Sequence, residues 1–550
     1  MRRFIIVVKL TDDYQAKADE FKAAGIAVPQ FDQEQMKQAT RANPVWVHFG
    51  GGNLFRCFHA KIAQDLLNTG KLKSGVIVAE TYDGDVPADI YKPYNDRVLQ
   101  VVMQPDGTLD KTLIASVAEA IYYNKSNPDG WERLKDIFTQ PSLQLVTMSI
   151  TEKGYQLTDI NGKLTPAAEA DIAGKPDDAV TNMGAIARLL LARYEAGAKP
   201  IAMVSTDNFS ENGKRYEDGI LTIAKGWAKN GTVTQGFIDY LTDPKRVSFP
   251  WSMIDRITPN PAQNVADKLK AEGFEDTTIV HTPKHTNIAP FGNTEETHYL
   301  VIEDSFPNGR PALENAGVIL TDRDTVNDAD QMKVTACLNP LHTALAIYGN
   351  LLGYTSIASE VENPDLLTLI KYLGYKEDLP VVKDPKIINP KKFLDQLITK
   401  RLPNKNIPDT PQRIASDTSQ KLPIRYGVTI QHYLDKGSDS VKQLKAIPLI
   451  LAGWCRYLMA LDDKGNAFTP SRDPLLDQLQ PYVADIKLGS DADVHAALKP
   501  ILSNDQIFGH DLYQIGLADQ VEADFKKLIA GPGAVAKTLE QFRQDHEKEL

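Results

Sequence analysis

The sequence predicts an α/β domain built on a parallel sheet, followed by a mostly α-helical domain. Three observations predict it. From Pro44 short apolar runs alternate with amphipathic helical patterns, the order that covers both faces of a parallel sheet. Beyond about Val326 the strand-like runs cease and helical periodicity takes over. At 550 residues, 42% hydrophobic and 24% charged, the chain is globular and too long for one core.

Taken in order, the apolar run Phe4–Val8 is too short for a secretory leader and reads as a short strand or disordered tail. Residues up to Asn43 read as a peripheral amphipathic helix and linker, so 1–43 is an N-terminal extension without evident chemistry. The α/β domain spans 44–310. Within it Val45–Phe49 is a strand, Leu54–Asn68 a helix stopped by Gly70, and Gly75–Ala79 a second strand. Leu143–Ile150 and Ile201–Ser205 continue the strands, separated by a helix from Asp177 to Ala196. Pro307, Asn308, Gly309, Arg310 and Pro311 punctuate the chain, which places the helical domain at 311–550. Its helices are expected at Gln331–Leu352, Pro364–Leu373, Lys391–Arg401, Ser440–Leu461, Asp519–Ile529 and Ala534–Glu549.

Composition removes several function classes. A net charge of −11 gives no electrostatic footprint for nucleic acid. No stretch approaches the ~20 apolar residues of a membrane span. Cys57, Cys337 and Cys455 are far apart and odd in number, which fits a reducing cytoplasm and neither a disulfide framework nor a cysteine zinc site.

Two constellations could carry chemistry. Gly50-Gly51-Gly52-Asn53-Leu54-Phe55-Arg56 follows the first strand and opens a helix, where backbone N–H groups and the positive dipole end can receive a pyrophosphate. Glu80 and Asp83 then follow the second strand at about the ~20–30-residue offset of an acid that holds an adenosine ribose, favouring NAD over NADP. The competing reading is a structural glycine turn with surface acids. The second constellation is Lys333, Asn339 and His342, polar positions interrupting an apolar helix, with Pro340 predicting a kink or irregular turn. Its competing reading is a solvated lysine and a core histidine. His281 and His285 have helical zinc-ligand spacing, but Pro283 between them argues against the helix, so no metal is expected.

Read together, these segments resemble the polyol-specific long-chain dehydrogenase/reductase family, also called the mannitol dehydrogenase family, collinearly over most of 45–475. The resemblance rests on Ser149–Tyr155, Ser205–Asn208 with Glu211–Gly213, Phe249-Pro250 with Asp255–Ile257, Val301–Asp304 with Asn308–Pro311, Ser419–Pro423 with Arg425, and Ala452–Trp454 with Arg456-Tyr457. It implies a Rossmann-type NAD-binding domain and a helical catalytic domain. It also implies cofactor contacts at Gly50, Gly52, Asn53, Arg56, Glu80 and Asp83. Lys333 would be the acid–base lysine, Asn208 and Asn339 the oxyanion-holding amides, and His342 the substrate-orienting ring. Asp255, Lys421 and Arg425 would contact substrate, with Arg456 also available to a carboxylate, and Asp330 could join a proton relay. Leu54-Phe55-Arg56 replaces the family's Phe-His-Arg, and six residues rather than five separate Lys333 from Asn339. The implied reaction is NAD-dependent interconversion of D-fructuronate and D-mannonate without a metal. Tagaturonate reduction, mannitol oxidation, or a non-enzymatic NAD-responsive sugar-binding role are the alternatives.

The six-residue interval carries a geometric expectation. On a regular helix the sixth residue lies ~100° away from the direction of the fifth, at ~100° per residue. A π-type turn between Lys333 and Pro340 would absorb the extra residue without disturbing the flanking helix.

Overall fold

The apolar runs after Pro44 pair into one parallel sheet in the computed structural model, which describes residues 7–159 and 162–550. The strands are β1 (Trp46–Phe49), β2 (Val76–Glu80), β3 (Val117–Tyr122), β4 (Leu145–Met148), β5 (Ile201–Ser205) and β6 (Val247–Ser248). They lie in the order β3-β2-β1-β4-β5-β6, every neighbouring pair parallel. The order reverses direction between β1 and β4, and in such sheets the ligand crevice lies beyond the carboxyl ends of those two strands. Both faces are covered, which is why the strands read as continuous apolar runs. Val47 and Phe49 join Phe138, Met183 and Trp227 on one face, while Trp46 joins Phe58, Leu66 and Ile254 on the other. β3 was not expected from patterning, nor was the hairpin of Val98–Met103 with Leu109–Ile114 that precedes it.

The chain divides into two units, Met1–Asn327 and Asp328–Leu550. Every named strand among the described residues lies in the first. The second unit is built around α1 (Asn339–Leu352), α2 (Val428–Lys436) and α3 (Ala446–Leu458). Every residue of α3 is buried, the pattern of a helix enclosed on all sides. Gly453 lets α1 and α3 approach closely, since a Cβ there would lie 2.6 Å from the Tyr348 ring. Tyr348 donates to the Leu449 carbonyl at 2.7 Å across the same crossing.

Three expectations need correction. Residues 9–43 are not peripheral. They form helices Ala18–Ala23 and Gln33–Ala42 and a strand Ile26–Ala27 that pairs in parallel with Leu109–Ile114. Leu10 donates to the Asp276 carboxylate at 2.7 Å, Arg97 donates to the carbonyls of Leu10 and Asp12 at 2.7 Å each, and Lys37 pairs with Asp96 at 2.7 Å. Part of the polar composition that suggested a surface appendage goes to these distant partners, while Lys22, Glu34, Gln35 and Arg41 stay exposed. The expectation for the first residues lies mostly outside the described residues; Val8 bridges to Phe274. The helix expected from Asp177 starts at Asn182, because Thr181 caps it by accepting from the Gly184 N–H. The helix expected from Ser440 starts at Ala446, where Glu377 accepts the N–H groups of Lys445, Ala446 and Ile447.

Candidate active site

In the first unit the glycine turn is fixed sterically. Gly50 sits at φ +104°, and a Cβ there would fall 2.2 Å from the Ser149 carbonyl oxygen at the end of β4. Its N–H donates to the Ala79 carbonyl at 2.9 Å. The Gly51 N–H donates to Glu80 Oε2 at 2.8 Å, and the buried Tyr91 hydroxyl donates to the Gly51 carbonyl at 2.7 Å. Gly52 faces open space, and the helix begins at Asn53. The turn therefore presents glycine backbone and the first amides of a helix at the sheet's switch point, the elements that receive a pyrophosphate. Glu80 Oε1 also accepts the N–H groups of Tyr82 and Asp83, at 2.9 and 3.2 Å. A carboxylate offers about four acceptor positions, so Glu80 retains one for a ribose hydroxyl.

Two residues expected at the cofactor point elsewhere. Asp83 Oδ2 accepts the hydroxyls of Thr282 and Thr286 at 2.6 and 2.7 Å, tying the β2 loop to the Val280–Ile288 hairpin. Those donors hold its carboxyl below the usual range even though burial pushes the other way. Arg56 is fully buried, because the turn after Asn53 is π-type over Phe55–His59 and directs the side chain inward. It donates to the Ala289 carbonyl and approaches Asn53 Oδ1 at 3.5 Å.

Asn208 is exposed on the loop after β5. Its neighbour Asp207, which the sequence did not single out, is buried and accepts the N–H groups of Ile150 and Thr151 at 2.9 and 2.8 Å and the Tyr155 hydroxyl at 2.7 Å. It thereby locks the β4 and β5 loops together, the only available signal being its place in Ser205–Asn208. Asp255 is buried at the end of the strand Ser252–Asp255, opposite Tyr299.

In the second unit helical residues up to Met332 pass into a π-type turn at Lys333–Cys337. The Leu338 N–H donates to the Lys333 carbonyl, five residues back, at 3.1 Å. Leu338 leaves helical geometry at φ −130°, ψ −63°, and α1 restarts at Asn339 with Pro340 in its first turn, where a missing N–H costs nothing. The irregular turn expected from the six-residue interval is present. Lys333 is buried, 1% exposed, with Asp330 Oδ1 at 3.4 Å.

Asn339 and His342 are half-buried on the first turn of α1. Burial and the charges of Arg401, Arg425 and Arg413 lower the His342 pKa to about 4 against the opposing pull of Asp409, so the ring is neutral near pH 7. Arg425 donates to Thr343 Oγ1 at 2.5 Å, and Thr343 to the Asn339 carbonyl at 2.9 Å. Lys421 donates to the carbonyls of Ile414 and Ser416, and burial with the neighbouring Arg425 lowers its pKa to about 8. This unit thus brings a neutral histidine and a group of cations together. Arg456 is not among them. It is fully buried and donates to the carbonyls of Leu461 and Asp462 at 2.7 and 3.0 Å.

His281 lies in a strand and His285 in a turn at φ +63°, so the pair does not share a helix face. Among the described residues no group of three or more His, Cys, Asp or Glu is placed to hold a metal, and no helix is long and apolar enough to cross a membrane.

Residues 45–315 match the family model described as the mannitol dehydrogenase Rossmann domain, and residues 326–529 the mannitol dehydrogenase C-terminal domain. The D-mannonate oxidoreductase of Thermotoga maritima is 50% identical over 519 residues, covering 94% of this chain and 96% of that protein. A crystal structure of D-sorbitol dehydrogenase in substrate-free form superimposes with a TM-score of 0.77 at 25% identity, covering 93% of this chain and 97% of that one. The Pseudomonas fluorescens mannitol 2-dehydrogenase in ternary complex with NAD and D-mannitol superimposes with a TM-score of 0.71 at 24% identity, over 98% and 100%, a likeness of fold.

Proposed function

The chain belongs to the mannitol dehydrogenase family, and from that premise we propose that it is an NAD-dependent oxidoreductase interconverting D-fructuronate and D-mannonate in the cytoplasm. The observation that carries this reading is the 50% identity, over 94% of the chain, to a D-mannonate oxidoreductase. The residues fit the cofactor. Gly52 is open, the adjacent helix N-terminus is available, and Glu80 keeps an acceptor for a ribose hydroxyl while its charge opposes a 2′-phosphate.

NAD supplies the hydride chemistry, leaving the protein to bind, orient and move one proton. In the oxidative direction the Lys333 amine takes the proton of the substrate hydroxyl; in the reductive direction its ammonium returns it to the forming alkoxide. Asn339 donates an amide N–H to that oxygen, Asn208 is read as an amide donor from its own motif in the first unit, and the neutral His342 ring offers one donor and one acceptor to orient a hydroxyl. Arg425 and Lys421 are the cations for the uronate carboxylate, and Asp255 accepts from a substrate hydroxyl.

The deciding experiment measures NADH oxidation with fructuronate, tagaturonate and fructose in parallel. Fructuronate should give the highest kcat/KM. Preference for either other sugar overturns the substrate assignment, and NADH binding without turnover of any sugar overturns the enzymatic reading. Dialysis against chelator should leave turnover unchanged; loss reversed by zinc or manganese would refute the lysine mechanism.

A further inference from the structure

The π-type turn that carries Lys333 leaves a backbone acceptor that its own helix cannot satisfy in the same pattern. Pro340 has no N–H, so the five-residue ladder stops short of the Thr335 carbonyl. The buried Thr429 hydroxyl on α2 takes that place, 3.2 Å from the Thr335 carbonyl oxygen and 3.1 Å from Asp378 Oδ1. Three residues earlier, Tyr426 donates its hydroxyl to the Pro340 carbonyl at 2.7 Å. One helical face thus reaches both sides of the break.

The direction of these bonds follows from proton counting. A carbonyl only accepts, and a threonine hydroxyl has one hydrogen. Thr429 lies as a donor toward both oxygens, and its one hydrogen can serve the Thr335 carbonyl while the Asp378 contact is also kept only where Asp378 is a protonated acid that donates in turn. The surroundings agree. Asp378 is 1% exposed and Oδ2 has no hydrogen-bond partner among the described residues, an arrangement costly for a carboxylate and tolerable for an acid. Burial and the adjacent Glu377 push its pKa up against the Thr429 hydroxyl, which pulls it down.

We propose that Asp378, Thr429 and Tyr426 are positioning residues for the acid–base lysine, acting as a chain in which neutral Asp378 donates to Thr429 and Thr429 to the Thr335 carbonyl, while Tyr426 fixes Pro340. The arrangement sets the turn, and so the direction of the Lys333 side chain, from outside the Lys333 segment. This rests on the reading of Lys333 as acid and base.

The test uses the full-length enzyme with Thr429→Val, Thr429→Ser, Asp378→Asn, Asp378→Leu and Lys333→Ala. Readouts are kcat, KM for NADH, and amide hydrogen exchange at Leu338 compared with α3. Thr429→Val should lower kcat about tenfold or more, a displacement-sized loss, with KM for NADH unchanged. It should also speed exchange at Leu338 about tenfold while α3 exchange holds. Thr429→Ser should restore both. Asp378→Asn keeps a neutral donor and should stay within about threefold of the parent, whereas Asp378→Leu should behave like Thr429→Val. Unchanged Leu338 exchange in Thr429→Val overturns the positioning role, whatever Lys333→Ala does. Asp378→Asn as damaging as Asp378→Leu overturns the protonated donor. Full turnover in Lys333→Ala overturns the acid–base reading alone, because the exchange measurement does not depend on it.

Discussion

The glycine turn and the Lys333 turn are both breaks in regular structure, but they are made in different ways. At Gly50 the break is written in the residue itself, since positive φ and the Ser149 carbonyl 2.2 Å from any Cβ admit glycine alone. At Lys333 no residue of the turn demands π geometry. The turn is held by hydroxyls from residues about ninety positions later, Tyr426 and Thr429. A locally encoded break should fail through one substitution in place, while a remotely held one should tolerate changes within and fail through its partners.

The largest effect expected is at the chemical group. Lys333→Ala should cost at least ~100-fold in kcat, the low end for a positioned acid–base group, with the NADH dissociation constant unchanged. Equal loss of NADH affinity would merge the two breaks into one functional element. Next, Gly50→Ala should weaken NADH about tenfold or more and destabilise the protein by ~1–3 kcal/mol, through strain that no distant change relieves. Normal NADH affinity in that variant would break the local half of the comparison. Smaller again, Glu80→Gln keeps an acceptor but removes the charge, and should narrow the preference for NADH over NADPH by about tenfold; a parent that already prefers NADPH refutes the ribose-acid assignment. The smallest change in rate belongs to Pro340→Ala. It gives the turn an N–H, yet Thr429 and Tyr426 remain, so kcat should move by less than about threefold. A loss as large as that of Thr429→Val would show that the proline, not its partners, dictates the turn.

Each break is also followed by a histidine, the buried His59 after the glycine turn and the half-buried His342 after the lysine turn. Burial depresses His59 to about 3 and His342 to about 4, both below the unfolded value near 6.5. The unfolded chain then binds protons that the folded chain refuses, so stability is fully retained above pH 6.5 and falls as pH drops toward 4. Replacing His59 with Phe should flatten that decline by up to ~1.4 kcal/mol per pH unit, read from urea midpoints between pH 7 and pH 5. An unchanged slope would show that His59 protonates in the folded state.

This contrast also explains what the sequence could disclose. Gly50–Gly52 and Glu80 are legible because a strand, a glycine turn and an acid obey rules that operate over a few residues. The π-type turn was legible as an interval, through the six residues between Lys333 and Asn339 together with Pro340. What holds it was not, because Asp378, Tyr426 and Thr429 meet it only after the helices pack. The partners of Arg56 and Asp83 were hidden for the same reason: residue type and offset suit a cofactor, but Ala289, Thr282 and Thr286 lie some two hundred residues away in the chain. The parallel sheet was legible at four strands; β3 was not, its apolar run being broken by Glu119, nor was β6, which spans two residues.

The N-terminal segment has a consequence for how the protein is made. Leu10 bonds to Asp276, 266 residues later, and Val8 bridges to Phe274. Val8 and Leu10 leave the ribosome long before those partners exist, so these two contacts wait, whereas Ile26–Ala27 and Lys37 meet Leu109–Ile114 and Asp96 much earlier. Those contacts close only after Asp276 has left the exit tunnel, so residues 8–10 take their seats late although they emerge well before their partners.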